Sequence, residues 1–366
     1  MKKVIIVSII LSLVFLFGCA SLVTRNNTNN GTGTNTGTGS SNSINISNGT
    51  SVAQPLLIQE YFPLRENTRY IYEGKGNEYA AYDVIIDYIA EGRIQQRVNN
   101  GGTEMARVIE LKDGRLTKLL SRGEAYYREN LLKTSGGEEE ILLMEPLAKG
   151  TTWTLKDSRV RTITGISVDV STPSGSYKAI EVTTEGPNDK TLDYYAKDFG
   201  LVKSVFNPGE SEVTSSLSKI EENVELVQRI SFFYPNISDS KIYYEGKDIS
   251  FETNDITKKA LEAAYKETVN KDLGLVFSQN TIINSLYLNQ DGMVYIDLNS
   301  AFVKEMNAGA GYEGEILQSI ANTFGKYYMA ERIILTIDNN LYESGHIAFK
   351  KGEYLKVSYE DTIETK

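Results

Sequence analysis

Between residues 55 and 225 apolar and polar positions alternate in short runs, the period-two pattern of strands that bury one face. Such segments recur at Tyr70–Tyr72, Tyr79–Ile89, Glu104–Leu111, Arg115–Leu120 and Ala125–Arg128. They continue at Ile141–Met144, Arg161–Val170, Tyr177–Thr184, Leu192–Ala196 and Leu201–Phe206. Turn signals separate them: Asp113-Gly114, Gly136-Gly137, Pro173-Ser174-Gly175 and Gly186-Pro187-Asn188-Asp189. Many short strands at close spacing predict an antiparallel meander, so residues 55–225 read as a mostly antiparallel β domain. Within it, the stretch from Pro63 to Tyr70 aligns without gaps on Pro146 to Trp153. Two copies of Pro-Leu-x-x-x-Thr-x-aromatic would open two halves of one sheet.

The pattern changes over residues 226–358. Thr257–Val269 carries Ala260, Leu261, Ala264, Tyr265 and Val269 at helical spacing, and Tyr312–Tyr328 does so with Ile316, Leu317, Ile320, Ala321, Phe324 and Tyr328. Strands are predicted at Arg229–Tyr234, Thr281–Leu288, Met293–Leu298 and Arg332–Ile337, with a hairpin over Ser240–Phe251 turning at Glu245-Gly246. Asp291-Gly292 suits a tight turn between two of these strands. Two helices on a small mixed sheet make a second, α+β domain, whose other sheet face is left open, with residues 359–366 as a tail. On the second helix, Glu315, Gln318, Ser319, Asn322 and Lys326 are expected to point outward.

Before the first domain lie two segments of different character. Val4 to Phe17 is apolar apart from two serines, follows Lys2 and Lys3, and is too short to span a bilayer comfortably. Residues 20–54 are dominated by Asn, Thr, Gly and Ser, with too little apolar surface to offset ordering entropy. We expect a disordered tether with a reach of roughly 30 Å. The apolar run closes as Leu16-Phe17-Gly18-Cys19, which resembles the bacterial lipobox, although Phe17 is bulkier than usual at its position. That resemblance implies a signal peptide over residues 1–19, lipid on the Cys19 thiol, and residence on the outer face of the cytoplasmic membrane.

Composition narrows the function. Net charge is −10, so the basic clusters that a nucleic-acid binder uses to neutralise phosphates are missing. The acidic balance also disfavours docking on anionic lipid by charge, which leaves Cys19 as the membrane contact. Cys19 is the only cysteine and His346 the only histidine, which removes internal disulfides, His-based metal sites and nucleophile–histidine triads. No metal ligand set and no cofactor is indicated. Gly309-Ala310-Gly311-Tyr312-Glu313-Gly314 fits G-x-G-x-x-G on paper. The dinucleotide mechanism, however, needs those glycines directly after a strand, and residues 299–308 intervene. We read them as a mobile surface loop, Glu138-Glu139-Glu140 as a solvated turn, and His346 as a surface or strand-end residue.

One stretch carries a family resemblance. Val294-Tyr295-Ile296-Asp297-Leu298-Asn299-Ser300-Ala301-Phe302, then Glu315 to Phe324, then Ile334-Leu335-Thr336-Ile337-Asp338 resembles the GerMN domain of sporulation and spore-germination lipoproteins. Asn299, Phe324 and Asn339 depart from the serine, leucine and glycine of the usual pattern. The resemblance implies a fold similar to ring-building motifs and marks Asp297, Asn299, Phe302, Glu315, Asn322, Thr323, Phe324 and Asp338 as its motif residues. Their chemistry suits caps, turns and core rather than catalysis. The function this implies is that of a non-enzymatic, lipid-anchored scaffold acting on other envelope proteins or on itself, in sporulation or germination. Two other readings stay open: a lipid- or glycan-binding carrier through the β-rich domain, and a wall hydrolase using two carboxylates. A curved sheet around an apolar cavity would favour the carrier, a flat packed sheet the scaffold.

Overall fold

In this computed structural model the described residues are 55–134, 137, 139–206, 211–236, 238–268 and 270–365. The signal peptide with Leu16, Phe17, Gly18 and Cys19, and the tether over residues 20–54, lie outside them. Residues from Gln54 onward form one compact unit. Among the described residues no helix is long and apolar enough to cross a membrane.

The expected meander is present and larger than the sequence pattern indicates. A short helix, α1 (Ile58–Tyr61), precedes β1 (Thr68–Lys75), β2 (Tyr82–Ala90), β3 (Arg93–Asn99) and β4 (Glu104–Lys112). Then come β5 (Arg115–Arg122), β6 (Glu140–Met144), β7 (Thr152–Thr154) and β8 (Val160–Thr172). β9 (Gly175–Glu185), β10 (Lys190–Ala196), β11 (Gly200–Phe206) and β12 (Val213–Glu222) complete it. These 12 strands form one antiparallel sheet in the order β6-β5-β4-β3-β2-β1-β12-β11-β10-β9-β8-β7. A shift of six places carries β1–β6 onto β7–β12, so the repeated string does open two halves of one sheet. Tyr70 on β1 and Trp153 on β7 occupy matching places and both are buried in the same core.

The sheet is rolled rather than flat, and of the two stated outcomes this is the one expected of a carrier in this region. Its edge strands β6 and β7 face each other without a backbone ladder, and side chains span the seam. Trp153 Nε1 donates to Ile141 O at 3.0 Å, Arg161 Nη1 to the same oxygen at 2.6 Å, and Arg161 pairs with Glu140. Glu140 is therefore half-buried in the seam and held by Lys118 as well, not part of a solvated turn. Two bulges in β8, at Ile163/Gly165 and Gly165/Val168, bend the long β8–β9 hairpin inward. Its tip reaches across to β12, where Ser174 N donates to Leu217 O at 3.1 Å. At one end of the roll α1 lies between the two halves: Ile58 N donates to Glu145 Oε1, and Asp198 N to Glu60 O.

The remaining chain builds the α+β region. β13 (Leu226–Pro235) pairs with β14 (Ile242–Phe251), followed by α2 (Thr257–Tyr265), β15 (Ile283–Leu288) and β16 (Val294–Leu298). α3 (Ala301–Glu305) and α4 (Ala310–Tyr328) precede β17 (Arg332–Ile337), β18 (Asn340–Leu341), β19 (Leu355–Lys356) and β20 (Ile363–Glu364). β15, β16, β17 and β18 lie in that order, with β19 also on β17, and β16–β17 is parallel. α4 packs against β16 and β17 on one side and β13 on the other. The expected hairpin turn at Glu245-Gly246 does not exist: both residues lie inside β14, and the turn falls between Asn236 and Lys241. The glycines at 309–314 are not a mobile loop, because Gly309 is the N-cap of α4 and the others lie in its first turns. Ser319 and Asn322 are fully buried rather than outward, since α4 is covered on two sides. The last residues, read as a tail, add β20 to β14.

The two regions meet at a buried ionic network. Ala125–Arg128, expected as a strand, is instead an irregular segment lying over the outer face of β2–β4. Arg97 on β3 pairs with Asp87 at 3.0 Å and Glu104 at 2.9 Å, and also donates to Ala125 O and Tyr127 O. Arg128 is 1% exposed and donates to Asp87 O, Asp255 O and Glu252 O, the last at 2.9 Å, with its guanidinium 4.2 Å from the Tyr88 ring. Its backbone N–H donates to Tyr327 on α4. One side chain thus binds backbone from both regions. Removing Arg128 takes one of the two cations from buried Asp87 and leaves three carbonyls without their donor, which together cost about 3–5 kcal/mol. Arg128→Met in residues 54–366 should lower the unfolding free energy by about that amount in urea titration, and a change under about 1 kcal/mol would discount the network as the joint.

Candidate functional site

The motif residues of the α+β region converge at the ends of β15, β16 and β17. Asp297, 3% exposed, accepts from Thr336 Oγ1 at 2.6 Å, Asn339 N at 2.7 Å and Asn284 Nδ2 at 2.9 Å. Asp338 accepts from Ser300 N at 3.0 Å and from the same Asn284 amide at 3.3 Å. Asn299 accepts from Ile282 N and donates to Asn280 O. The two carboxylates fasten three chain turns to one another, which is the work of joints rather than of an acid–base pair.

The other motif residues sit in the core. Phe302 and Phe324 both pack on Phe277, at ring separations of 6.1 and 6.4 Å. Thr323 Oγ1 accepts from Phe233 N and donates to the Tyr265 hydroxyl. Asn322 Oδ1 accepts from Gln318 Nε2 and Ser358 N. Glu315 is half-buried, and burial pushes its carboxyl above the usual range, against the lowering effect of Ser240. His346 is exposed in a turn held by Ser344. Among the described residues no group of three His, Cys, Asp or Glu side chains is placed to hold a metal.

One face of the β15–β18 sheet is left uncovered by helix. Tyr287, Tyr295 and Ile334 are register partners across β15, β16 and β17, and the two tyrosine rings stack at 5.5 Å. Tyr287 and Tyr354 are exposed, and Arg332 lies 5.5 Å from the Tyr354 ring.

A second site lies inside the roll: a cavity of about 310 Å³ between β1–β6 and β10–β12. Its walls carry Tyr72, Tyr82, Tyr195, Ile94 and Ile109 together with Arg107, Lys118 and Asp193. Tyr72 and Tyr82 stack at 4.5 Å, and the Tyr72 hydroxyl donates to Leu201 O at 2.7 Å. Burial pushes the Tyr82 and Tyr195 hydroxyls up, so both stay neutral donors. Asp193 accepts from Ser204 Oγ at 2.7 Å. Its residual surface opens onto the cavity, and burial raises its pKa despite Ser204 and Arg161. Lys118 is neutralised by Glu140, whereas Arg107 makes no ion pair among the described residues; its Nε contacts only Met105 Sδ, at 3.4 Å. Sequence reading missed this site. The available signal was parity: Arg107 shares the inward positions of β4 with Met105, Ile109 and Leu111.

Comparison with known proteins bears on the α+β region. Residues 231–343 match the Germane family, described as sporulation and spore germination, and so carry a domain of the resembled kind. No curated protein matches the chain. Among solved structures, the tandem GerMN domains of the sporulation protein GerM from Bacillus subtilis are 16% identical with a TM-score of 0.27, covering 37% of this chain and 48% of that one. This chain therefore spans about half the length of that structure. The first GerMN domain of GerM gives 16% identity, a TM-score of 0.26, and coverage of 37% and 99%. A Clostridium perfringens protein described as a lipoprotein gives 16%, 0.24, and coverage of 36% and 87%.

The raised pKa of Asp193 sets the sign of a pH effect. The folded state holds this proton more tightly than the unfolded chain, so ionising Asp193 costs stability as pH rises above the unfolded value of about 3.9. Asp193→Asn keeps an acceptor for Ser204 and removes that cost. The variant should be more stable than the parent at pH 7, with the difference vanishing below about pH 4. Melting curves across pH 3–8 check this, and equal stability of the two proteins at pH 7 would contradict it.

Proposed function

We propose that this is an extracytoplasmic protein, anchored by lipid on Cys19, that serves sporulation or spore germination as a non-catalytic assembly component of the envelope. The observation that carries this reading is the Germane match over residues 231–343. Two features of that region support it. Asp297, Asn299 and Asp338 are consumed as joints, and its open sheet face presents a row of Tyr287, Tyr295 and Ile334. Aromatic side chains on a rigid sheet are the kind of anchor from which protein contacts draw most of their affinity. The partner is another envelope protein or a second copy of the chain, met through this face.

The test is genetic, in the source organism. A strain lacking the protein should yield at least tenfold fewer heat-resistant spores, or spores that germinate correspondingly slowly, and the intact gene should restore both. Tyr287→Glu with Tyr295→Glu should fail to restore them while accumulating to the normal level. Normal sporulation and germination in the deletion strain would overturn the proposal. Separately, Cys19→Ser should abolish incorporation of a fatty-acid label, and label retained in that variant would refute the anchor.

A further inference from the structure

The cavity inside the β roll is the feature that the Germane reading does not absorb. We propose that it is a binding site for a small amphipathic carboxylate, its head group on Arg107 and its apolar body against Tyr72, Tyr82, Ile94 and Ile109. The proposal is independent of the role of the Germane domain.

Three observations carry it. First, the cavity is in the size range of ligand sites: at the roughly 30 Å³ each water takes in the liquid, about 310 Å³ corresponds to roughly ten non-hydrogen atoms. A concave site of that size, lined by Tyr70, Tyr72, Tyr82 and Tyr195 with a few polar groups among them, has the composition of a small-molecule pocket. Second, Arg107 points inward from β4 and is the one basic group on these walls without a carboxylate among the described residues. A guanidinium half out of water beside aromatic rings is costly unless an anion completes it, and its fork matches a carboxylate. Third, the neighbouring groups do not supply that anion. Lys118 is paired with Glu140, and Asp193 is held by Ser204 rather than by Arg107. The walls therefore present a guanidinium that no carboxylate among the described residues pairs, set among tyrosine rings and aliphatic side chains, which selects an acid with an apolar body over either a neutral lipid or a sugar. Phe199, 37% exposed, stands where the cavity wall meets solvent near α1.

The test is calorimetric titration of residues 54–366, the compact unit, with decanoate, with 3-phenylpropionate and with decanol. Saturable one-to-one binding of at least one of the two acids is expected, with decanol at least tenfold weaker than decanoate if the alkyl acid is the one held. The two acids separate a lipid-derived ligand from an aromatic one. Arg107→Leu should weaken the bound acid by tenfold or more while leaving the melting temperature within a few degrees. Ile94→Phe, which fills the cavity from β3, the strand beside that of Arg107, should abolish binding of the acid in a protein that still melts cooperatively. No saturable binding of either acid, or binding unchanged in both variants, would overturn the proposal.

Discussion

The structure depends on one buried charge network. Asp87, Arg97, Arg128 and Glu104 balance as two cations and two carboxylates, and both guanidinium groups also donate to backbone carbonyls, although Arg128 Nε is left without a hydrogen-bond partner among the described residues. Buried ions are tolerable only when paired and hydrogen-bonded, so the network is all or nothing. Its geometry explains why residues 125–128 leave the sheet. Their carbonyls and the Arg128 side chain are needed as partners over the outer face, where a strand would present neither. The same network explains why the two regions form one compact unit although their apolar cores are separate clusters. Around it, Thr253 and Asn254 bind Asn67, Ile86 O and Ile89 N, extending the joint by neutral hydrogen bonds.

Curvature is the second constraint. A meander of this length cannot stay flat, because strand twist accumulates. Here it closes on itself through side chains across the β6–β7 seam instead of through a ladder. A seam made of Trp153, Arg161 and Glu140 shields two strand edges that would otherwise invite pairing with another chain. Closure has a consequence for the interior. The bent β8–β9 hairpin fills one part of it, and the part between β1–β6 and β10–β12 stays open as the cavity.

Much of this was legible from residues, and the failures have physical causes. Strands with clean alternation, such as Glu104–Leu111 and Tyr177–Thr184, stand close to where periodicity put them. β3 and β12 were not expected. Their Arg93-Ile94-Gln95-Gln96-Arg97 and Thr214-Ser215-Ser216 stretches look like solvent, yet Gln95 and Arg97 are buried because a covering segment supplies partners on the outer face. Composition cannot announce such partners, which come from 30 residues away. On α4 the helix and its apolar stripe were read correctly, but its polar side was taken as exposed. Ser319 and Asn322 are buried there because β13 and the segment at Ser358 lie on that side, Ser319 bonding Glu315 O and Asn322 bonding the Ser358 amide. The family motif residues were named from the resemblance; in the structure Asp297 and Asp338 bind neighbouring turns, and Phe302 and Phe324 pack in the core.

The two candidate surfaces differ in kind, and the difference arises from how each region satisfies its polar groups. In the α+β region the carboxylates at the strand ends are spent internally: Asp297 alone takes up donors from three different chain segments. The surface left for an outside molecule is a flat sheet face with stacked tyrosines, which suits a protein and offers a small molecule no enclosure. In the roll the situation is reversed. Its outer face is engaged at one corner by the ionic network, while inside it the Arg107 guanidinium and the Tyr82 and Tyr195 hydroxyls border a cavity without pairing with one another. Unsatisfied polarity in an enclosed apolar space is what a small ligand relieves, and it is a much weaker attraction for a macromolecule that cannot enter. The chain thus presents one surface for contact and one interior for occupancy, joined by a network whose charges cannot be removed singly without loosening both.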